Sequence, residues 1–286
     1  LPHVTSNVLE DIIRLILIII GVPIFINKGL EVAVTFVILT NIISELSSIL
    51  VLFFFLPKNL TIKKKDLAFN KGYAKEAMNI SIPSTASRLV GSFGYFLEPI
   101  ILTNALTYVG YSSKFIVTEY GVISGFVMPL LLLPSFFTMA ISQALLPVIS
   151  KATSNKHYDY AKKKLKQAIG ISLLIGVPAS LALAIFPEFF LGLIYNTHEG
   201  VAYMRFLAPI CILQYIQAPL SACLDAMGLT KLGLKATIIG TLIRTIFLLV
   251  FSLLKIGMWG LIFSTSLNVI FTTFYNLYQV KTSLKK

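Results

Sequence analysis

Four ionisable side chains stand inside strongly apolar segments of the chain, and all four are of types that bind ions or charged substrates. They are Glu45, Arg88, Glu98 and Asp225. A charged group at membrane depth costs roughly 2.5–3.5 kcal/mol on insertion scales, so it is normally found against a partner helix or a water-filled cavity. If these segments cross a membrane, the four residues are therefore candidates for a binding site.

Polar residues around Arg88 recur at a spacing that places them on one face of a helix. The face carries Ser84, Arg88, Gly91, Tyr95 and Glu98, with Ser87 beside it. Arginine suits phosphate because its planar guanidinium donates paired hydrogen bonds. We therefore predict that this face lines a cavity and binds substrate. The alternative is an interhelical ion pair that only locks the bundle; Arg88 and Glu98 lie about 15 Å apart along a helix axis, so they should not pair with each other.

Two further segments carry polar stripes at helical spacing. Their members are Asn41, Ser44, Glu45 and Ser48 in one segment, and Gln214, Gln217, Ser221 and Asp225 in the other. Small and polar residues also hold membrane helices together, so substrate contact and helix packing both stay open. Asn41 and Glu45 join the substrate-binding candidates.

Three prolines, Pro83, Pro129 and Pro134, fall inside apolar segments, where a proline bends a helix. In transporters that work by alternating access, such helices often bend during the transport cycle. We predict hinges at these positions, and a static kink filled by packing is the alternative.

Residue patterns typical of enzymes and metal sites are missing from the sequence. Its three histidines, His3, His157 and His198, fall in predicted loops or termini. It has no HExxH motif and no glycine-rich phosphate loop followed by Lys and Ser or Thr. The sequence therefore predicts neither a metal site nor a cofactor, and it disfavours a membrane glycosyl- or acyltransferase.

The elements that must position these residues follow from composition. Of the 286 residues, 56% are hydrophobic and only 13% are charged, with a mean hydropathy of +0.85; soluble domains carry about 25% charged residues. This composition excludes a soluble enzyme, a nucleic-acid-binding domain and a disordered chain. It predicts an all-α, polytopic membrane bundle of about eight helices, since a span needs about 20 apolar residues. The predicted spans are 9–26, 31–56, 77–108, 116–148, 166–187, 200–226, 236–254 and 258–279.

The net charge of +12 is distributed unevenly between the two sides of this predicted bundle. Seventeen Lys and Arg residues fall in connections on one side, including 57–76 and 149–166, and four fall on the other. Cytoplasmic loops collect basic residues, so we predict that the first side and the C-terminus are cytoplasmic. The basic residues are expected to contact membrane lipids rather than nucleic acid.

Two segments of the chain resemble each other. Residues 11–18 (DIIRLILI) and 241–248 (TLIRTIFL) are each followed by a turn glycine and then by an asparagine about twelve residues further on. This echo predicts a parallel repeat of six-helix units. The domains would then be 1–56, the last two helices of a first lobe, 57–76, a basic cytoplasmic linker, and 77–286, a six-helix second lobe. Four helices would precede residue 1, so we expect an N-terminally truncated fragment.

Three stretches resemble the stage V sporulation protein B and polysaccharide biosynthesis family of the multidrug/oligosaccharidyl-lipid/polysaccharide (MOP) exporter superfamily. They are 80–92 (ISIPSTASRLVGS) with Glu98 following, 120–134 (YGVISGFVMPLLLLP) continuing to ALLP at 144–147, and 6–14 (SNVLEDIIR). The stretches are similar to the seventh, eighth and fifth helices of that family. Lipid II flippases carry an Asp-Arg pair before the proline segment, whereas Ile123, Ser124 and Gly125 are uncharged here, which favours the sporulation branch.

The resemblance implies a two-lobed, MATE-like fold around a central cavity. It implies a flippase that moves undecaprenyl-diphosphate-linked oligosaccharide, a peptidoglycan, spore-cortex or other polysaccharide precursor, across the bacterial plasma membrane. The family's cavity arginine corresponds to Arg88 in the Ser-Arg-x-x-Gly motif, which would hold the diphosphate. Its partners would be the lipid-linked oligosaccharide, membrane lipids and a coupling ion, Na+ or H+. Two alternatives stay open: a drug/cation antiporter of the same superfamily, which needs an acidic cavity, and a cell-wall assembly scaffold without transport.

Overall fold

The computed structural model describes residues 2–55 and 71–284, and every regular element in these two stretches is helical. The chain divides into two compact units, Leu1–Asn70 and Lys71–Lys286. Most of the predicted linker, 57–76, lies outside the described residues, so the domain limits at 56 and 77 stay predictions.

Within the described residues, the first unit consists of two helices, α1 (Pro2–Ile26) and α2 (Leu30–Phe54). The second unit contains α3 (Lys71–Tyr108), α4 (Ser113–Val122), a π-helical segment (Ile123–Val127), α5 (Met128–Leu132), α6 (Ser135–Ser154), α7 (Tyr158–Ile185), α8 (Pro187–Tyr195), α9 (Val201–Ala226), α10 (Thr230–Leu253) and α11 (Trp259–Ser283).

Helices α1 and α2 form a hairpin that packs along its length. Gly29 ends the connection with a φ of 122°, a conformation that residues with a side chain rarely adopt. The rings of Phe25 and Phe36 stack across the pair at 4.5 Å. Gly21 lies where a Cβ would overlap the Phe36 ring, so this glycine allows the two helices to approach closely.

Helix α9 is the central element of the second unit, because it packs against α6, α7, α10 and α11. Two apolar clusters form along it. Leu207, Cys211 and Tyr215 belong to the first cluster, and Leu220 and Leu224 belong to the second. Helix α3 packs mainly against α10. The polar face predicted on α3 meets α10 there and faces cavities that α9 and α11 also line.

The predicted span 116–148 is not one uninterrupted α-helix. Its helical path changes to π-helical hydrogen bonding at Ile123–Val127, just before Pro129. At Leu133 and Pro134 the chain keeps right-handed helical dihedral angles, and it continues directly into α6. The hydroxyl of Tyr215 on α9 donates a 2.7 Å hydrogen bond to the Leu131 carbonyl, just before this junction. Pro83, in contrast, lies inside α3, which stays helical on both sides of it.

Among the described residues, seven helical stretches are long and apolar enough to cross a membrane. They are Leu30–Phe54, Ser81–Tyr108, Ser113–Leu132, Ser135–Ser154, Tyr158–Ile185, Val201–Ala226 and Thr230–Leu253. Two of them, Ser113–Leu132 and Ser135–Ser154, are consecutive lengths of one helical path and together cover the predicted fourth span. The first and last predicted spans fall on α1, which is charged near its start, and on α11, which carries many hydroxyl and amide groups.

Candidate substrate-binding cleft

The polar face of α3 lines three neighbouring cavities in the second unit, which we call the cleft. Each cavity shares residues with the next: Thr237 belongs to the first and second, and Tyr95 and Arg244 belong to the second and third. Helices α3, α9, α10 and α11 contribute polar side chains to the first two cavities, whereas the third holds charged and hydroxyl groups among mostly apolar side chains.

The first cavity, of about 240 Å³, contains Arg88. Its lining is rich in hydroxyl and amide groups: Ser84, Ser87, Gln217, Ser221, Thr230, Thr237, Thr272 and Asn276. The hydroxyls of Ser87 and Thr237 are 2.7 Å apart and join α3 to α10. Asp225 of α9 lines the same cavity, so Arg88 shares it with a carboxylate. The Arg88 side chain itself is exposed, which leaves its guanidinium accessible to a ligand.

The second cavity, of about 190 Å³, lies between the two charged ends of the cleft. Gly94 lets α3 and α10 approach closely here, because a Cβ at this position would lie 2.5 Å from the Thr241 methyl carbon. Gln217 donates from its amide nitrogen to the Thr273 hydroxyl at 2.8 Å. Gln214, Asn268 and Thr272 add further polar groups to the wall, so this part of the cleft offers many hydrogen-bonding groups.

A buried ion pair occupies the third cavity. Arg244 of α10 contacts the Glu98 carboxylate of α3, and only 9% and 7% of the two residues are exposed. Tyr120 of α4 donates a 3.3 Å hydrogen bond to the other Glu98 oxygen. The Arg244 guanidinium lies 4.4 Å from the centre of the Tyr95 ring, in cation–π contact. The network therefore joins three helices at the end of the cleft opposite Arg88.

The structure brings together six of the predicted substrate-binding residues: Ser84, Ser87, Arg88, Gly91, Tyr95 and Glu98 all line the cleft. Asn41 and Glu45 lie on α2, in the first unit, with exposed side chains. Their buried neighbour Ser44 accepts a hydrogen bond from Arg14 Nε at 3.4 Å. Their proposed contact with substrate stays a prediction.

Arg244 is the main residue of the cleft that the sequence analysis did not place among the site candidates. Glu98 pairs with this residue, and not with Arg88, as the helical rise between Arg88 and Glu98 indicates. The sequence did single out the segment around Arg244, because residues 241–248 resemble residues 11–18. That resemblance indicates a repeat, and it carries no information about which carboxylate Arg244 contacts.

Two family models match the chain, and each covers more than half of it. The MatE model matches residues 93–250, and the polysaccharide biosynthesis protein model matches residues 2–153. The chain is 32% identical to stage V sporulation protein B of Bacillus subtilis (strain 168) over 85% of this chain and 48% of that protein. It is 29% identical to sporulation protein YkvU of the same organism, over 56% of this chain and 36% of that protein.

The fold matches solved transporters. An outward-facing multidrug resistance MATE family transporter of the MOP superfamily superimposes with a TM-score of 0.77 and 16% sequence identity, over 98% of this chain and 62% of the transporter. At this identity the match shows the fold alone. The chain spans about half the length of stage V sporulation protein B, and less of YkvU.

The seven apolar helices among the described residues define a multi-pass membrane protein. Within that class, the chain belongs to the polysaccharide biosynthesis protein family of the MOP superfamily, as the resemblance predicts. This membership confirms the MATE-like helical fold. It also separates the chain from membrane glycosyl- and acyltransferases, because the matched families are transporters.

Proposed function

We propose that the protein to which this chain belongs moves undecaprenyl-diphosphate-linked oligosaccharide across the bacterial plasma membrane by alternating access. The observation that carries the proposal is the accessible guanidinium of Arg88 in a cavity lined by hydroxyl and amide groups. An arginine fork binds a diphosphate through paired, charge-assisted hydrogen bonds. Hydroxyl and amide groups are suited to the sugar hydroxyls that follow it.

The charges of the cleft support an anionic rather than a cationic cargo. Glu98 already has the Arg244 guanidinium as its counter-ion, and Asp225 shares its cavity with Arg88. Each of these two carboxylates thus has an arginine in its own cavity, whereas a drug/cation antiporter needs acidic groups that are free to bind its cargo. A scaffold without transport gains nothing from intramembrane charges that are costly to bury.

Further parts of the proposal rest on the sequence. Asn41 and Glu45 would contact the cargo from the first lobe, and Pro83, Pro129 and Pro134 would permit the helices to bend. Na+ or H+ would drive the cycle. From the basic connections we expect the C-terminus to lie on the cytoplasmic side.

Transport by the full-length protein tests the proposal. Proteoliposomes would contain undecaprenyl-diphosphate oligosaccharide with a fluorescent label, and a membrane-impermeant quencher would report the fraction that reaches the outer leaflet. We expect Arg88→Ala to slow transport about 10–100-fold, the equivalent of losing charge-assisted hydrogen bonds of about 1.5–3 kcal/mol. Arg205→Ala, which removes an exposed arginine at the start of α9, is the matched control and should transport at the wild-type rate.

Two results would contradict the proposal. Equal rates for wild type and a folded Arg88→Ala variant would remove Arg88 from the binding site. Proteoliposomes that expel a cationic dye in exchange for Na+ or H+, but move no lipid-linked sugar, would favour the antiporter.

A further inference from the structure

Arg244 is a second guanidinium in the cleft, and its hydrogen-bonding capacity is only partly used. It lines both the second and the third cavity. One of its terminal nitrogens contacts Glu98. Its Nε is buried and has no hydrogen-bond partner among the residues that the structure describes. A guanidinium has five N–H donors in a planar fork, so Arg244 can accept a larger anion than the one it now holds.

The present partner of Arg244, the Glu98 carboxylate, binds the guanidinium in the same way as a phosphate would. Carboxylate and phosphate oxygens fit the same fork geometry, and a phosphate offers more acceptor oxygens. Burying an ion pair costs desolvation energy that the attraction between the charges barely repays. A dianionic ligand that enters the adjoining cavity can therefore compete with Glu98 for Arg244.

Glu98 has a partner that would stay with it after such an exchange. Tyr120 donates to the carboxylate oxygen that is not in contact with Arg244. Most other side chains around this cavity are apolar, and the Ser124 hydroxyl already donates to the Tyr120 carbonyl. Among the described residues, the Tyr120 hydroxyl is therefore the one donor seen at Glu98, besides Arg244, that would stay with a displaced carboxylate, and it lowers the cost of the exchange.

We propose that Arg244 is a second phosphate-binding residue of the cleft, and that Glu98 is its resident counter-ion, which a diphosphate ester displaces. The inference rests on the proposed function and extends it from one binding position to two. Thr237, seven residues before Arg244, is level with Ser87 through their hydrogen bond. Arg244 therefore lies about 10 Å along α10 from the Arg88 end, so the two arginines mark two positions along the cleft.

Equilibrium binding to the full-length protein in lipid nanodiscs tests the exchange. The probes are undecaprenyl diphosphate, the uncharged alcohol undecaprenol, and inorganic diphosphate. Glu98→Gln removes the competing charge and keeps the side-chain shape, so it should tighten undecaprenyl diphosphate binding about tenfold. Arg244→Gln should weaken it about 10–100-fold. In the double variant, Arg244→Gln should cancel the gain from Glu98→Gln, because that gain acts through Arg244.

The exchanged pair, Glu98→Arg with Arg244→Glu, separates binding from folding. It restores an ion pair between α3 and α10 but moves the guanidinium to α3. We expect its melting temperature to recover towards wild type while undecaprenyl diphosphate binding stays weak. Full recovery of both would show that the pair only holds the helices together, and would overturn the inference.

The remaining outcomes distinguish this inference from the proposed function. Wild-type protein that binds undecaprenyl diphosphate and undecaprenol equally would overturn both. Selective binding of the diphosphate that Arg88→Gln weakens and Arg244→Gln leaves unchanged would overturn only the role of Arg244. Inorganic diphosphate that binds as tightly as the lipid, with the same dependence on Glu98 and Arg244, would support the anion site and assign it to free diphosphate.

Discussion

Arg14 in the α1–α2 pair and Arg244 in the α10–α11 pair occupy matching positions of two similar segments, yet their surroundings differ. Arg14 contacts carboxylates of its own helix, Glu10 at 2.5 Å and Asp11 at 3.6 Å, and 32% of its side chain is exposed. Arg244 contacts Glu98 on another helix, and 11% of its side chain is exposed. One arginine is neutralised locally and the other only by tertiary packing.

The positions before each arginine explain the difference. Glu10 and Asp11 stand four and three residues before Arg14, a spacing at which side chains meet on a helix. The corresponding residues before Arg244 are Gly240 and Thr241. Without a carboxylate of its own helix, Arg244 must find its counter-ion elsewhere. The same local motif therefore gives a local ion pair in one unit and an interhelical one in the other.

Removing Arg244 should have the largest effect on stability. Arg244→Leu leaves the Glu98 carboxylate buried without its counter-ion, and breaking a buried pair in this way costs about 3–5 kcal/mol. Denaturant titration of the full-length protein in mixed micelles measures the free energy of unfolding. Arg205→Leu, at an exposed arginine, is the control. A loss below about 1 kcal/mol for Arg244→Leu would mean that the two arginines are equivalent after all.

Gly240 should tolerate a side chain poorly, whereas the matching position in the first segment holds the long side chain of Glu10. A Cβ at Gly240 would lie 2.7 Å from the Thr272 hydroxyl on α11. We expect Gly240→Ala to cost about 1–3 kcal/mol, the usual range for overpacking. Gly233→Ala on the same helix is the matched control, because nothing lies within 4 Å of its added Cβ. The same titration compares the two variants, and equal stabilities would contradict the close approach of α10 and α11.

A carboxylate on α10 itself should give Arg244 a counter-ion on its own helix, as Arg14 has on α1. In a Glu98→Gln background, Thr241→Asp places an acid three residues before Arg244, as Asp11 stands before Arg14. We expect it to recover about 1.5 kcal/mol, the lower end for a hydrogen bond to a charged group. Thr241→Asn in the same background controls for shape. Equal stability of the Asp and Asn variants would show that Arg244 does not reach position 241.

Neutralising Arg14 should have the smallest effect. Its pairs are solvent-accessible, and such pairs are worth about 0–1 kcal/mol and weaken with salt. We expect Arg14→Gln to lower the free energy of unfolding by less than about 1 kcal/mol, and by less still in high salt. A loss as large as that of Arg244→Leu would show that Arg14 has a structural partner beyond its own hairpin.

The helical fold and one wall of the cleft were predictable, because both follow from local periodicity. Apolar runs of sufficient length predict spans, and the recurrence of Ser84, Arg88, Gly91, Tyr95 and Glu98 places them on one helix face. The irregular part of the predicted span 116–148 was not predictable in the same way. Prolines indicate where a helix can bend, but the π-helical hydrogen bonds at Ile123–Val127 have no signature in the periodicity of the segment.

The sequence by itself determined that this chain is a helical membrane protein and that Arg88 and Glu98 share a helix face, since hydropathy and helix geometry are properties of short segments. Only the tertiary structure decided that Glu98 meets Arg244 and that their contact ends a polar cleft. The two residues are 146 positions apart. Their pairing results from the packing of α3 against α10, and a periodicity within one segment carries no information about which distant segment packs against it.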